Sequence, residues 1–123
     1  MNLPTPKKLL FVLRQAPYGS SLAKEALDAV LATSVYEQDL SVVFIDDGVF
    51  QLLQKQDGSA IGMKSISKAL SAFALYDIDQ LFVCADSLHE RGISPEDIPS
   101  TITVLNSSDI KNLFQQQHHL LSF

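Results

Sequence analysis

The sequence has few of the residues that several common kinds of site require. Among its 123 residues there is one cysteine, Cys84, so the chain can form no internal disulfide and no cysteine-rich metal cage. Lys and Arg number 9 against 14 Asp and Glu, and the formal net charge is -5. Because binding to nucleic acid or anionic lipid depends on cationic side chains that neutralise phosphate, this charge argues against a direct nucleic-acid or membrane partner.

Long hydrophobic runs are also absent. No apolar run approaches the roughly 20 residues needed to cross a bilayer. The N-terminal stretch MNLPTPKK has no apolar segment ahead of a small-residue cleavage site. We therefore expect a cytoplasmic protein. Because 123 residues suffice for one hydrophobic core and are too few for two of ordinary size, residues 1–123 are expected to form a single domain.

Short apolar runs alternate with stretches of helical periodicity along the whole chain. Continuous apolar runs bounded by polar residues are typical of strands that are buried on both faces. The alternation predicts an α/β fold, specifically a three-layer α/β/α domain with a mostly parallel sheet of about five strands. The predicted strands are Lys8–Leu13, Leu40–Ile45, Leu81–Cys84, Ile102–Leu105 and His119–Phe123, and the predicted helices are Leu22–Tyr36, Val49–Gln54, Ser65–Leu75, a short helix after Cys84, and Asp109–Gln117.

The loops that follow the first three predicted strands are expected at one edge of the sheet. Right-handed crossovers place Arg14–Ser21, Asp46–Gly48 and Cys84–Ser87 there. In parallel α/β sheets this carboxyl edge is where ligands and chemistry collect. Within the first loop, Tyr18 and Gly19 are interpreted mainly as turn residues, because glycine supplies the backbone freedom that tight turns need.

Several familiar site motifs are missing from these loops. The sequence contains no G-x-x-x-x-G-K-S/T, no G-x-G-x-x-G and no G-x-S-x-G, so neither the usual nucleotide sites nor a serine-hydrolase elbow has support. Asp46 and Asp47 are interpreted as acidic residues that suit a helix start, in preference to a metal site. We therefore expect no metal and no cofactor. An independent small-molecule or nucleotide-binding module remains an alternative, because three loops meet at one sheet edge.

The stretch from Asp79 to Gly92 contains the only thiol, at the end of a predicted strand. A serine-led helical turn follows, with Ser87 as the expected N-cap. Backbone N–H groups at that helix start would favour a thiolate. The carboxylate of Asp86 would oppose this effect, and His89 and Arg91 would add to it. Cys84 is thus a candidate nucleophile or persulfide carrier, while the alternative is a small buried core residue.

Five motifs together carry a resemblance over nearly the whole chain. They are APYGSS after the first strand, ALDAVLATS in the first helix, FIDDGVFQLL at the end of the second strand, YDID, and VCADSLHERG around the thiol. In these motifs the sequence resembles the DsrE/DsrF-like family, in its branch of TusC-type subunits of the bacterial TusBCD sulfur-relay complex. The resemblance implies a DsrEFH-like α/β/α fold with a parallel sheet.

The resemblance also implies partners and a task. TusB-type and TusD-type subunits would assemble with this chain into a heterotrimer that pairs into a heterohexamer. The complex would pass persulfide sulfur from a TusA-type carrier to a TusE-type protein, toward 2-thiolation of the tRNA wobble uridine. In that family the sulfur acceptor is the cysteine of the TusD-type subunit, at the position that Cys84 matches.

The resemblance leaves the role of this chain open between two interpretations. The first is a scaffolding subunit that serves the TusD-type acceptor and has no independent catalytic activity. In the second, Cys84 is itself a persulfide carrier, supported by Ser87, His89, Arg91, Tyr18 and Gly19. A DsrF-like subunit of a sulfur-oxidation complex would differ only in its pathway.

Overall fold

The computed structural model describes residues 7–16, 22–34, 39–53 and 70–123. The predicted turn residues Tyr18 and Gly19 lie outside these ranges. So does part of the predicted helix Ser65–Leu75. Within the described ranges, no helix has the length and apolarity that spanning a membrane requires.

The predicted parallel sheet is confirmed. Its strands are β1 (Lys8–Leu13), β2 (Asp39–Phe44), β3 (Leu81–Cys84), β4 (Thr103–Leu105) and β5 (His119–Ser122). They form one 5-stranded sheet in the order β4-β3-β2-β1-β5, and every neighbouring pair is parallel. Short runs rich in valine, leucine and phenylalanine suit strands that are covered on both faces.

Helices connect the strands. They are α1 (Leu22–Ser34), α2 (residues 70–75), α3 (Ala85–Glu90) and α4 (Ser107–Gln115), with 3-10 helices at Asp46–Leu52 and Pro95–Asp97. Only Ile45 separates the first 3-10 helix from β2, so the predicted loop Asp46–Gly48 is already helical.

The sequence predicts Ser107 or Ser108 as the N-cap of the last helix, α4, and this prediction was wrong. Asn106, and neither Ser107 nor Ser108, caps this helix, because its backbone is extended and its side chain accepts the N–H of Asp109 at 2.8 Å.

Alternate side chains of the strands point to opposite faces of the sheet and divide the core into two layers. The smaller layer contains Leu10, Val12 and Val43, against which α4 packs. The larger layer lies on the other face, under α1, α2 and α3. Helices therefore cover both faces, which confirms the three-layer prediction. The larger layer includes Phe11, Leu13, Val30, Val42, Phe44, Phe73, Val83 and Leu88.

β5 forms one edge of the sheet and is joined to β1 where both strands begin. The backbone N–H of Lys8 donates to His118 Nδ1 at 2.8 Å, and the N–H of His118 donates to the Lys8 carbonyl at 2.8 Å. At the other end of β5, the rings of Phe11 and Phe123 stack with centroids 6.2 Å apart. The histidine side chain thus acts as a backbone acceptor beside the last strand.

We expect His118→Ala to lower the free energy of unfolding by about 1 kcal/mol, because the Lys8 N–H loses its acceptor. Urea denaturation measures this change. His119→Ala is the matched control. The neighbouring side chain of His119 is exposed, and its removal should change the free energy of unfolding by less than about 0.5 kcal/mol. Equal losses in both variants would contradict a specific role for the His118 ring.

Candidate functional site

The carboxyl ends of the three central strands bring together residues that are far apart in the sequence. Leu13 pairs with Phe44 across β1 and β2, and Phe44 pairs with Val83 across β2 and β3. Consequently Arg14, Asp46 and Cys84, at the ends of β1, β2 and β3, come to the same edge of the sheet. The predicted meeting of these loops is confirmed for their described parts.

Two ion pairs cross this edge, and each uses one of the consecutive aspartates. Arg14 Nε donates to Asp46 Oδ2 at 2.9 Å, and Arg91 Nε donates to Asp47 Oδ1 at 3.0 Å. Exposed ion pairs of this kind add little to stability. Their effect is to hold the loops after β1 and β2 and the end of α3 in a defined arrangement. Among the described residues, no group of three or more His, Cys, Asp or Glu side chains could hold a metal ion.

Cys84 is half-buried and has a free thiol. It is the last residue of β3, where it pairs with Leu105 of β4, and it is also the N-cap residue of α3. Its backbone is extended, and its side chain makes no capping hydrogen bond. The predicted position of the thiol, at the end of a strand and the start of a helix, is therefore confirmed.

Ser87 has a different position from the predicted one. It was expected to cap α3, but the helix already begins at Ala85, so Ser87 lies inside its first turn. There its hydroxyl is buried and accepts the backbone N–H of Asp46 at 2.9 Å. The side chain that was predicted to start one helix instead joins that helix to the end of β2.

Arg91 and His89 lie at the far end of α3 from the thiol. Arg91 is the C-cap residue, seven positions after Cys84, which corresponds to roughly 10 Å along a helix axis. Its guanidinium contacts Asp47 and also donates to the Ser87 carbonyl at 3.2 Å. His89 is exposed in the last turn. The structure thus brings Ser87 and Arg91 together with the aspartates, and it leaves His89 apart from them.

Sequence reasoning missed two residues that shape this edge. The buried side chain of Gln51 donates to the Gln15 carbonyl at 2.8 Å and so supports the loop after β1. At Gly48, an added Cβ would lie 1.9 Å from the Leu13 carbonyl oxygen. Gly48 therefore lets the 3-10 helix pack directly on the end of β1. The D-D-G tripeptide after an apolar strand was the available signal for the glycine, whereas nothing in the sequence marked Gln51 as buried.

A shallow polar depression lies at the opposite edge, where β2 and β3 begin. Gln80 Nε2 donates there to Asp39 Oδ1 at 2.6 Å and to the Leu40 carbonyl at 2.9 Å. The polar groups that line this depression are thus partly bonded to one another. The depression shares no lining residue with the candidate site. The lining residues are Ser34, Asp39, Leu40, Tyr76, Asp77, Ile78 and Gln80.

Comparison with known families decides the classification. The sequence matches the DsrE/DsrF-like family over residues 7–123. The chain belongs to this family. The resemblance identified from the five motifs is confirmed.

Individual relatives agree with this classification. A protein named TusC homolog from Vibrio parahaemolyticus is 43% identical over 116 residues, which cover 94% of this chain and 98% of the relative. A protein named TusC from Escherichia coli is 47% identical over 90 residues, covering 73% of this chain and 76% of the relative.

A solved structure shows the same fold. The crystal structure of the ychN protein from E. coli superposes with a TM-score of 0.78 at 21% identity, covering 95% of this chain and 99% of that one. At this identity the similarity is evidence for the fold alone.

Two glycine-to-alanine variants near this edge should both lower the stability of the protein, but for different physical reasons. We expect Gly48→Ala to cost about 1–3 kcal/mol or more, because its methyl group would collide with the backbone of Leu13. Gly92→Ala, where φ is +65° and no atom lies within 4 Å, should cost about 1–2 kcal/mol through backbone strain alone.

Urea denaturation measures both losses, and backbone NMR shifts separate their causes. Gly48→Ala should shift the amide signals of Arg14 and Ile45, whose N–H groups lie at the ends of β1 and β2. Gly92→Ala should leave these two signals unchanged. Unchanged signals in Gly48→Ala would contradict the close contact.

Proposed function

We propose that this protein is a TusC-type subunit of a cytoplasmic sulfur-relay complex, and that it serves mainly as a partner of the TusD-type sulfur acceptor. The complex passes persulfide sulfur toward 2-thiolation of the tRNA wobble uridine. The observation that carries this proposal is the similarity to proteins named TusC over most of the chain. TusB-type and TusD-type chains are the proposed direct partners, in a heterohexamer, and TusA-type and TusE-type carriers exchange sulfur through the complex.

Exposed apolar side chains support a role in assembly. Leu75 is 83% exposed at the end of α2, and Leu120 is 51% exposed on the edge strand β5. Leu121 and Val104 are exposed on the two opposite edge strands, β5 and β4. Large apolar side chains exposed at sheet edges favour contact with other chains. The net charge of -5 fits a protein that reaches tRNA only through its partners.

The position of Cys84 favours a second candidate function, in which this subunit also carries sulfur. The thiolate of Cys84 would attack the terminal sulfur of a donor persulfide. The donor S–S bond would break as the new S–S bond forms on Cys84, and the donor cysteine would leave as a thiolate. The exchange needs no external oxidant or reductant, because one persulfide replaces another. The half-buried position of the thiol at the carboxyl edge of the sheet supports this candidate.

Co-expression tests the assembly proposal. We expect this chain and its TusB-type and TusD-type partners to co-purify and to elute together in size-exclusion chromatography, because their exposed edges become buried. If the β5 edge contacts a partner, Leu120→Asp combined with Leu121→Asp should reduce co-elution of the three chains. His119→Ala, on the same strand, is the control and should leave co-elution unchanged. Repeated failure of the three unmodified chains to co-elute would contradict the proposal.

A cysteine substitution separates the two candidate functions. With scaffolding as the main role, Cys84→Ser should leave sulfur transfer by the assembled complex largely intact, because the substitution conserves size. Transfer of labelled sulfur to a TusE-type acceptor measures this, and mass spectrometry of Cys84 detects an added sulfur atom. The control replaces the acceptor cysteine of the TusD-type subunit, which should abolish transfer. Loss of transfer in Cys84→Ser, together with a sulfur adduct on Cys84, would establish the carrier function instead.

A further inference from the structure

α3 is attached near both of its ends to the first residues of the 3-10 helix that follows β2. Near its start, the Ser87 hydroxyl accepts the Asp46 N–H at 2.9 Å. At its end, Arg91 donates to Asp47 Oδ1 at 3.0 Å. Arg91 also donates to the Ser87 carbonyl, so the two attachments are joined to each other. We call this set of contacts, made by Ser87, Arg91, Asp46 and Asp47, the α3 latch.

The Ser87 hydroxyl fits a backbone group that has an unusual conformation. Asp46 has a φ of +50°, a left-handed geometry that is uncommon for residues other than glycine. The carboxylate of Asp46 is engaged by Arg14, and its N–H is engaged by Ser87. Ser87 is only 5% exposed, so water has little access to replace its hydroxyl. Loss of this hydroxyl would therefore release the turn at Asp46 from α3.

α3 is short and buries two of its side chains. It contains six residues, and Ser87 and Leu88 are its buried ones. A helix this short has little stability of its own, so its position depends on side-chain contacts with the rest of the protein. Leu88 packs into the larger core layer. The latch adds polar contacts between α3 and the start of the 3-10 helix that follows β2.

Cys84 is coupled to this latch by its place in the same helix. It is the N-cap residue of α3 and precedes Ser87 by three positions. Cys84 ends β3 with an extended backbone and is followed at once by the first turn of α3, so the contact that fixes Ser87 also holds the chain turn that begins at Cys84. Movement of Ser87 away from Asp46 would loosen this turn and open the surroundings of the half-buried thiol.

We propose that Ser87 is a positioning residue for Cys84, and that through the α3 latch it limits access of other molecules to the thiol. The proposal rests on the sulfur-relay function only for its biological purpose. Its physical content, that the latch sets the reactivity of the thiol, holds whether or not Cys84 carries sulfur.

Alkylation of the full chain by iodoacetamide tests the proposal. Cys84 is the only cysteine, so the measured rate belongs to one site. We expect Ser87→Ala to raise the second-order rate constant about fivefold, the factor by which loss of one hydrogen bond shifts a local opening equilibrium. Ser87→Thr keeps the hydroxyl and should reverse most of this increase. Arg91→Met removes the other half of the latch, keeps much of the side-chain length, and should also raise the rate.

Ser94→Ala is the matched control. The Ser94 hydroxyl accepts the N–H of Glu96 at 3.3 Å in a separate 3-10 helix, so this variant also loses one serine-to-backbone hydrogen bond. Its alkylation rate should equal that of the unmodified chain. In urea, all variants should react equally, because the latch is then absent. An unchanged rate in Ser87→Ala, or an equal increase in Ser94→Ala, would overturn the proposal.

The relay assay keeps this proposal distinct from the proposed function. Faster alkylation of Ser87→Ala with restoration by Ser87→Thr supports the positioning role, even if Cys84→Ser transfers sulfur normally. Conversely, an unaffected alkylation rate overturns the positioning role, even if the complex assembles and transfers sulfur.

Discussion

The parallel pairing of β1, β2 and β3 is the constraint on which the candidate site depends. Because parallel neighbours end at the same edge, the residues after each strand meet there, although Arg14 and Arg91 are far apart in the chain. Gly48 makes the pairing at this edge compact, since any side chain at that position would collide with the Leu13 carbonyl. The arrangement of the loops thus follows from the parallel strand pairing and from the close approach of Gly48 to the Leu13 carbonyl.

The charged side chains at this edge interact mainly in close pairs. Each of the two consecutive aspartates pairs with an arginine from a different segment, Asp46 with Arg14 and Asp47 with Arg91. Arg91, which the sequence prediction assigned to the thiol, therefore pairs with Asp47. The two aspartates lie in the first turn of the 3-10 helix, as predicted. Around Cys84 the structure shows a half-buried free thiol at the start of α3, and Arg91 at the end of that helix donates to the Ser87 carbonyl.

This arrangement suits a protein that works with partners. Family membership and the similarity to proteins named TusC give the proposed function its main support, and the exposed apolar residues of the edge strands fit assembly with other chains. The polar depression at the amino edge of the sheet is separate from the thiol. The two ends of the sheet therefore differ in character, and the carboxyl end contains the thiol and the two aspartate–arginine pairs.

Much of the fold was determined by the sequence itself. Apolar runs bounded by polar residues predicted all five strands to within one residue at each end, because strands buried on both faces need continuous apolar side chains. The end of the third strand at Cys84 followed from the same pattern. Five motifs also sufficed to identify the family.

Only the tertiary structure decided how the side chains at the site are used. Ser87, Ser107 and Ser108 are all of a residue type that favours N-cap positions. Nevertheless, the Ser87 hydroxyl accepts the N–H of Asp46, and Asn106 caps α4. The choice among several local serines and asparagines depends on backbone angles that neighbouring elements impose. Likewise, the burial of Gln51 and the partner of each aspartate follow from contacts between segments distant in the chain, which local sequence patterns do not encode.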